Sequence, residues 1–156
     1  MHGNCYLLCA AGYAETSMQQ AVAWLQRAGI APIVLGLKSG SIAGAAGSTV
    51  PAEVLISSFI GEEAQRPLPD GLLLAGGSAC GRQLLTDPRV HLLVQQMCQA
   101  AKPVGFLHPV SYPFVDLLNQ QADEQPFLLQ KRQAHDDFMC VFGKRLYQAQ
   151  ATTSLR

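Results

Sequence analysis

Apolar residues fall in two rhythms along this chain. Short unbroken apolar runs alternate with stretches where apolar residues recur every three or four positions. Tyr6–Ala10 is the first run and predicts a buried strand. Glu15–Ala28 follows with Met18, Ala21, Val22 and Leu25 on one stripe, the spacing of a helix, and Gly29 stops it. Pro32–Leu37 predicts a second strand. The Gly-, Ser- and Ala-rich stretch Lys38–Pro51 predicts loop with a short hairpin. Gly71–Ala75 predicts a strand entered from the turn Pro67-Leu68-Pro69-Asp70. Asp87 then caps a helix that carries Pro88 at its first position and a stripe of Val90, Leu93, Val94, Met97 and Ala101. Pro103–Leu107 predicts another strand, and Pro113–Gln121 a helix. Beyond Gln121 the alternation predicts strands at Phe127–Lys131 and Phe138–Phe142. Gly143-Lys144 would turn the second into Arg145–Ala149, making a C-terminal β-hairpin.

Strands separated by helices predict an α/β domain: a mostly parallel sheet with helices on both faces. In such sheets ligands bind at the carboxyl ends of the strands. Three segments should meet there: Ala11–Ser17, Gly76–Gly81 and His108–Tyr112.

Composition narrows this picture. At 156 residues the chain is long enough for one domain with a sizeable core, expected to span residues 1–156. Only 14% of residues are charged against 49% hydrophobic, which predicts surface covered by another copy of the chain, as a homodimer or higher homo-oligomer. Eleven basic residues balance eleven acidic ones, so no electrostatic reason exists to bind nucleic acid or an anionic membrane. The apolar run Cys5–Ala11 lacks a preceding positive charge and is too short for a signal-peptide core or a membrane span, so a cytoplasmic protein is expected.

The five cysteines fit a reducing compartment. Cys5 and Cys9 on one strand would lie about 13 Å apart at about 3.3 Å per residue, too far for a disulfide. No Cys-x-x-Cys or His pair has zinc spacing, and neither a metal nor a cofactor is expected. Cys98 and Cys140 read as core residues. Cys80, just past Gly76-Gly77, is a candidate nucleophile or redox thiol, with Arg82 or His108 as a source of nearby charge.

The candidate chemistry centres on His108. Lys102–Ser111 reads as a strand running into a sharp turn before a helix, the arrangement in which many α/β hydrolases and amidotransferases hold a nucleophile. The turn here presents His108 and then Pro109. Ser111 lacks the flanking glycines of a serine elbow and reads as a helix cap. The glycines of Gly40–Gly47 precede no Lys-Ser/Thr and form no phosphate loop. His135-Asp136-Asp137 reads as a solvated approach to the final hairpin.

Four pieces of the chain together resemble the ThiJ/PfpI family of the class I glutamine amidotransferase-like superfamily. They are the helix end Gln26-Arg27-Ala28-Gly29-Ile30, the glycine-containing hairpin Ile42–Val50, the strand and turn Asp70–Gly77 with Ala75 in place of a proline, and the strand Lys102–Leu107. The resemblance covers roughly residues 5–149 and implies a flavodoxin-like three-layer sandwich that assembles as a dimer or higher oligomer. It also implies a site made of an elbow cysteine, a glutamate on the first helix, and backbone N–H donors from the Gly-Gly turn and the residue after the cysteine. The family's final helix is expected to be absent, because no apolar helical pattern follows the predicted hairpin.

Carried over by position, the cysteine falls on His108 and the glutamate on Ser17, with Glu15 two positions earlier and facing elsewhere on a helix. The residue after the nucleophile is Pro109, which has no N–H to offer an oxyanion. Such a donor is typically worth a factor of about 100–1000 in turnover. Pro109 also drives His108 toward extended backbone, and Val110 replaces the elbow's glycine. The expectation is a divergent member without the family's cysteine chemistry: a pseudoenzyme that binds a small ligand or a protein through Gly76, Gly77, His108, Ser17 and Glu15. The alternatives are a hydrolase or dicarbonyl-detoxifying enzyme (glyoxalase- or deglycase-like) using Cys80 or His108 with Ser17, and a thiol redox sensor using Cys80.

Overall fold

The first apolar run forms the centre of the sheet. In the computed structural model, which describes residues 3–61, 66–107, 127–129, 139, 142–144 and 146, β1 (Asn4–Cys9) is buried from Cys5 to Cys9. A strand covered on both faces needs such an unbroken apolar run. It pairs in parallel with β2 (Ala31–Gly36) on one side and β6 (Gly71–Leu74) on the other. β5 (Val54–Leu55) extends the sheet beyond β2, and β7 (Val104–Phe106) and β8 (Phe127–Leu129) extend it beyond β6. The order β5-β2-β1-β6-β7-β8 is parallel at every pairing, the sheet of a flavodoxin-like α/β fold. A separate antiparallel hairpin joins β3 (Ser41–Ala43) to β4 (Thr49–Pro51), as the Gly- and Ser-rich stretch predicts.

The chain leaves β1 toward one edge of the sheet and leaves β6 toward the other. Right-handed crossovers therefore place the intervening helices on opposite faces. α1 (Glu15–Arg27) buries Ser17, Met18, Ala21 and Leu25. It ends where Ile30 N–H donates to the Leu25 carbonyl (2.9 Å) across Gly29, whose φ of 75° needs a glycine. α3 (Pro88–Gln99) starts as expected: the Asp87 carboxylate accepts from Arg89 N–H at 2.9 Å, and Val90, Leu93, Val94 and Met97 are buried. Ala101, assigned to that stripe, instead lies past the helix end, exposed at φ 56°, where Lys102 N–H closes onto the Met97 carbonyl at 2.9 Å.

Three elements were not anticipated: β5, only two residues long, the short 3-10 turn Ile56–Ser58, and α2 (Ser78–Thr86), in a stretch to which the sequence pattern assigned no element.

The C-terminal hairpin is a correction. Met139, Phe142, Gly143, Lys144 and Leu146 are helical, not strand and turn, and the buried Met139, Phe142 and Leu146 recur at spacings of three and four. That is a helical period, which the alternation of Phe138, Cys140 and Phe142 disguises as period two. These side chains also overturn the expectation of a missing final helix. A Cβ built on Gly71 would lie 3.1 Å from both Phe142 Cζ and Leu146 Cδ1, and one on Gly143 would lie 2.6 Å from Trp24. Helical residues thus pack between the start of β6 and α1. Phe127–Leu129 is a strand, but it continues the parallel sheet beside β7.

Candidate functional site

The sheet order reverses between β1 and β6, and a ligand crevice in an open α/β sheet lies at such a reversal, beyond the carboxyl ends. Here the β1–α1 loop meets the β6–α2 turn. Ala14 N–H donates to the Gly76 carbonyl at 2.8 Å. Gly77 sits at φ 112°, and a Cβ on it would lie 2.7 Å from the Gly12 carbonyl oxygen. Gly12 sits at φ 86°, and its own Cβ would lie 2.6 Å from Ala79 Cβ. Both glycines are therefore demanded twice, by backbone conformation and by contact. Gln83 Nε2 on α2 adds a bond to the Ala11 carbonyl at 3.0 Å.

The β3–β4 hairpin closes the other side of the β1–α1 loop. Gly12 N–H donates to the Ala43 carbonyl (2.8 Å), and Ala45 N–H to the Tyr13 carbonyl (3.0 Å). The carboxylate of Glu15, expected to contact a ligand, is turned to this hairpin. Oε1 accepts from Ala46 N–H and Oε2 from Ser48 N–H at 2.9 Å. Hydrogen bonds from the Ser48 side chain and then the Ala46 backbone hold its pKa below the ordinary glutamate value. Ser17 is buried in the first turn of α1, and its hydroxyl donates to the Ala14 carbonyl at 3.4 Å. Ser17, Gly76 and Gly77 are thus linked through Ala14. His108, with Pro109, Val110, Ser111 and His135-Asp136-Asp137, lies outside the described residues, as do Cys140 and the predicted helix Pro113–Gln121.

Cys80 is not at a rim. It is fully buried on α2, its thiol donates to the Ala75 carbonyl at 3.8 Å, and burial pushes it up to about 11 against a weaker opposing hydrogen bond to the Ala10 backbone. A thiol with that pKa is thiolate in only about one molecule in ten thousand at pH 7. Cys5 and Cys9 are also fully buried and pushed further up by burial, and half-buried Cys98 is pushed up to about 11. Cys9 Sγ packs 3.8 Å from Met18 Sδ beneath the β1–α1 loop. The same loop buries Tyr13, whose hydroxyl pKa is raised first by burial and then by Cys9 and Glu15. Sequence reasoning passed over Gly12 and Tyr13. The available signal was a glycine between the first strand and its helix.

Among the described residues no group of three His, Cys, Asp or Glu side chains could hold a metal. Nor is any helix there long and apolar enough to cross a membrane. An open groove of about 490 Å³ between α2 and α3, lined by Leu85, Thr86, Pro88, His91, Leu92 and Gln95, contains none of the site residues.

The DJ-1/PfpI family matches residues 4–107, about two thirds of the chain, so the match ends on Leu107, directly before His108. No curated protein matches significantly. Among solved structures, a DJ-1 superfamily protein from Salmonella typhimurium, crystallised as a cysteine-to-alanine mutant, is 22% identical with a TM-score of 0.60; the match covers 67% of this chain and 54% of that one. Drosophila melanogaster DJ-1beta is 15% identical with a TM-score of 0.65, over 84% of this chain and 76% of that one. Oxidized Toxoplasma gondii DJ-1 is 14% identical with a TM-score of 0.66, over 97% of both chains. The chain thus spans about half the length of the first relatives it matches and nearly all of the last. With the parallel sheet, the hairpin clasped to the first loop and the Gly-Gly turn all in place, the chain belongs to the DJ-1/PfpI family.

Proposed function

We propose that this protein has left the family's cysteine chemistry and binds a small ligand, or a partner protein, at the carboxyl ends of β1 and β6. It would do so as a homodimer or higher homo-oligomer. Gly76, Gly77 and Ser17 would line the site, with His108 entering from the segment after β7 and Glu15 serving the hairpin beside it. The observation that carries this reading is Cys80. The cysteine beside the Gly-Gly turn is sealed in the core with its thiol held protonated, the reverse of what a nucleophile needs. At the elbow, the sequence offers His108 followed by Pro109, which supplies no N–H for an oxyanion.

The test is a panel of ester, amide and dicarbonyl substrates, run on the wild type and on His108→Ala, together with a fragment screen read by amide shifts of Gly76 and Gly77. The expected result is no turnover above background and ligand-induced shifts at the two glycines. Turnover that disappears in His108→Ala overturns the reading in favour of a hydrolase or dicarbonyl-detoxifying enzyme. Iodoacetamide labelling of Cys80 as fast as a free peptide thiol would restore the thiol enzyme and the redox sensor as alternatives.

A further inference from the structure

The Glu15 side chain bridges two segments that its position in sequence does not connect. Its Cγ and Cδ lie where Gly44 lacks a side chain; a Cβ on Gly44 would come within 2.6 Å of both atoms. Its two carboxylate oxygens then divide between the Ala46 and Ser48 amides, across the turn that joins β3 to β4. That turn is internally tied by Gly44 N–H to the Ser48 carbonyl at 2.7 Å, and Gly47 takes a left-handed conformation at φ 96°. The hairpin is in turn bonded to the loop that precedes Glu15, by Gly12 to Ala43 at the end of β3 and by Ala45 of the turn to Tyr13. A bridge between Tyr13 and Gly44 runs between these bonds.

We infer that Glu15 is a positioning residue, a latch that fixes the β3–β4 hairpin to the β1–α1 loop so that the two form one rigid wall of the site. The hairpin's turn residues are exposed, and β3 and β4 are three residues each, too few to hold a hairpin unaided. The Glu15 carboxylate supplies what the short strands lack, charge-assisted bonds to the turn amides. Gly44 is the counterpart of the latch, since only a residue without a side chain lets Glu15 lie across it. The wall's purpose rests on the ligand-site reading above; the latch itself does not.

Amide hydrogen exchange on the full-length protein tests this without a ligand, so a negative result removes the latch and leaves the ligand-site reading standing. In Glu15→Ala the Ala46 and Ser48 amides should exchange at least about tenfold faster, with smaller gains at Gly12 and Ala45. Glu15→Gln should fall between Glu15→Ala and the wild type. The Leu7 and Leu73 amides, in β1 and β6, should stay within about twofold. Unchanged exchange at Ala46 and Ser48 overturns the proposal. So does equal acceleration at Leu7 and Leu73, which would make Glu15 a contributor to global stability only.

Should the variants fail to fold, the wild type still decides. The Ala46 and Ser48 amide shifts should titrate together with a midpoint below the ordinary glutamate value. Tyr13, the other titratable group facing Glu15 among the described residues, ionises far above that range. Absence of that common titration overturns the latch.

Discussion

The two ends of the central sheet are closed by different means. At the amino end, side chains do the work. Asn4 N–H donates to Asp70 Oδ2 at 3.1 Å, Asp70 N–H returns a bond to Asn4 Oδ1 at 3.0 Å, and Lys102 Nζ lies 3.8 Å from Asp70 Oδ1. Phe142 and Leu146 cover Gly71 beside them. At the carboxyl end the segments cross chiefly from backbone to backbone, Ala14 to Gly76, Gly12 to Ala43 and Ala45 to Tyr13, with the Glu15 and Gln83 side chains adding bonds to backbone groups. Two glycines there sit at positive φ with no room for a Cβ. A side-chain tie relaxes when it is altered, because rotamers can move. A backbone crossing at positive φ has no such freedom. The end that is expected to bind a ligand is therefore the end whose polar groups are held chiefly by backbone crossings.

That contrast can be broken in order of size. Phe142→Ala removes a fully buried ring and should cost about 3–5 kcal/mol in urea unfolding. A loss under about 1 kcal/mol would mean that the C-terminal helical residues do not seal the amino end. Gly77→Ala should cost about 2–3 kcal/mol, because the added Cβ meets the Gly12 carbonyl at an angle that L residues avoid. Equal stability of this variant and the wild type would show the carboxyl-end crossing to be as yielding as a side-chain contact.

Asp87→Ala removes a helix cap and should cost about 1 kcal/mol at neutral pH, a cost that fades in acid. The sign follows from the folded carboxyl. Bonded first to the Arg89 side chain, its pKa lies below the ordinary aspartate value. Its contribution is present above about pH 4 and is lost as pH falls through the folded value. Wild-type and variant stability curves should therefore converge at low pH. Ala101→Gly should add about 0.5–1 kcal/mol by relieving a left-handed alanine at the end of α3, read as a small rise in melting temperature.

Much of the fold was legible in the sequence. β1, β2, β6 and β7 announce themselves as unbroken apolar runs, since strands covered on both faces need apolar residues at every position. Asp87-Pro88 marks the start of α3 through chemistry that acts within one turn. α2 was missed because Gly81 interrupts it and only Cys80, Gly81 and Leu84 are buried, too few to draw a stripe. β5 is a two-residue edge whose pairing depends on β2, some twenty positions away. The final hairpin was misread because Phe138, Cys140 and Phe142 satisfy period two while Met139, Phe142 and Leu146 satisfy the helical period. Which of the two wins is decided by what lies beneath them, here Gly71 and Trp24.

The candidate site divides along the same line. Gly76-Gly77 was visible as a turn after an apolar strand, and Ser17 was placed on the first helix by counting back from Ala28-Gly29. The partner of that turn, Gly12, was not visible, because the contact joins backbones 65 positions apart. By itself the sequence determined a parallel α/β sheet and the loops that gather at its carboxyl ends. Only the tertiary structure decided that Cys80 is sealed and protonated, and that Glu15 reaches the hairpin. Strand and helix patterns are local and can be read along the chain, whereas burial, acidity and the direction of a carboxylate depend on neighbours that folding brings from elsewhere.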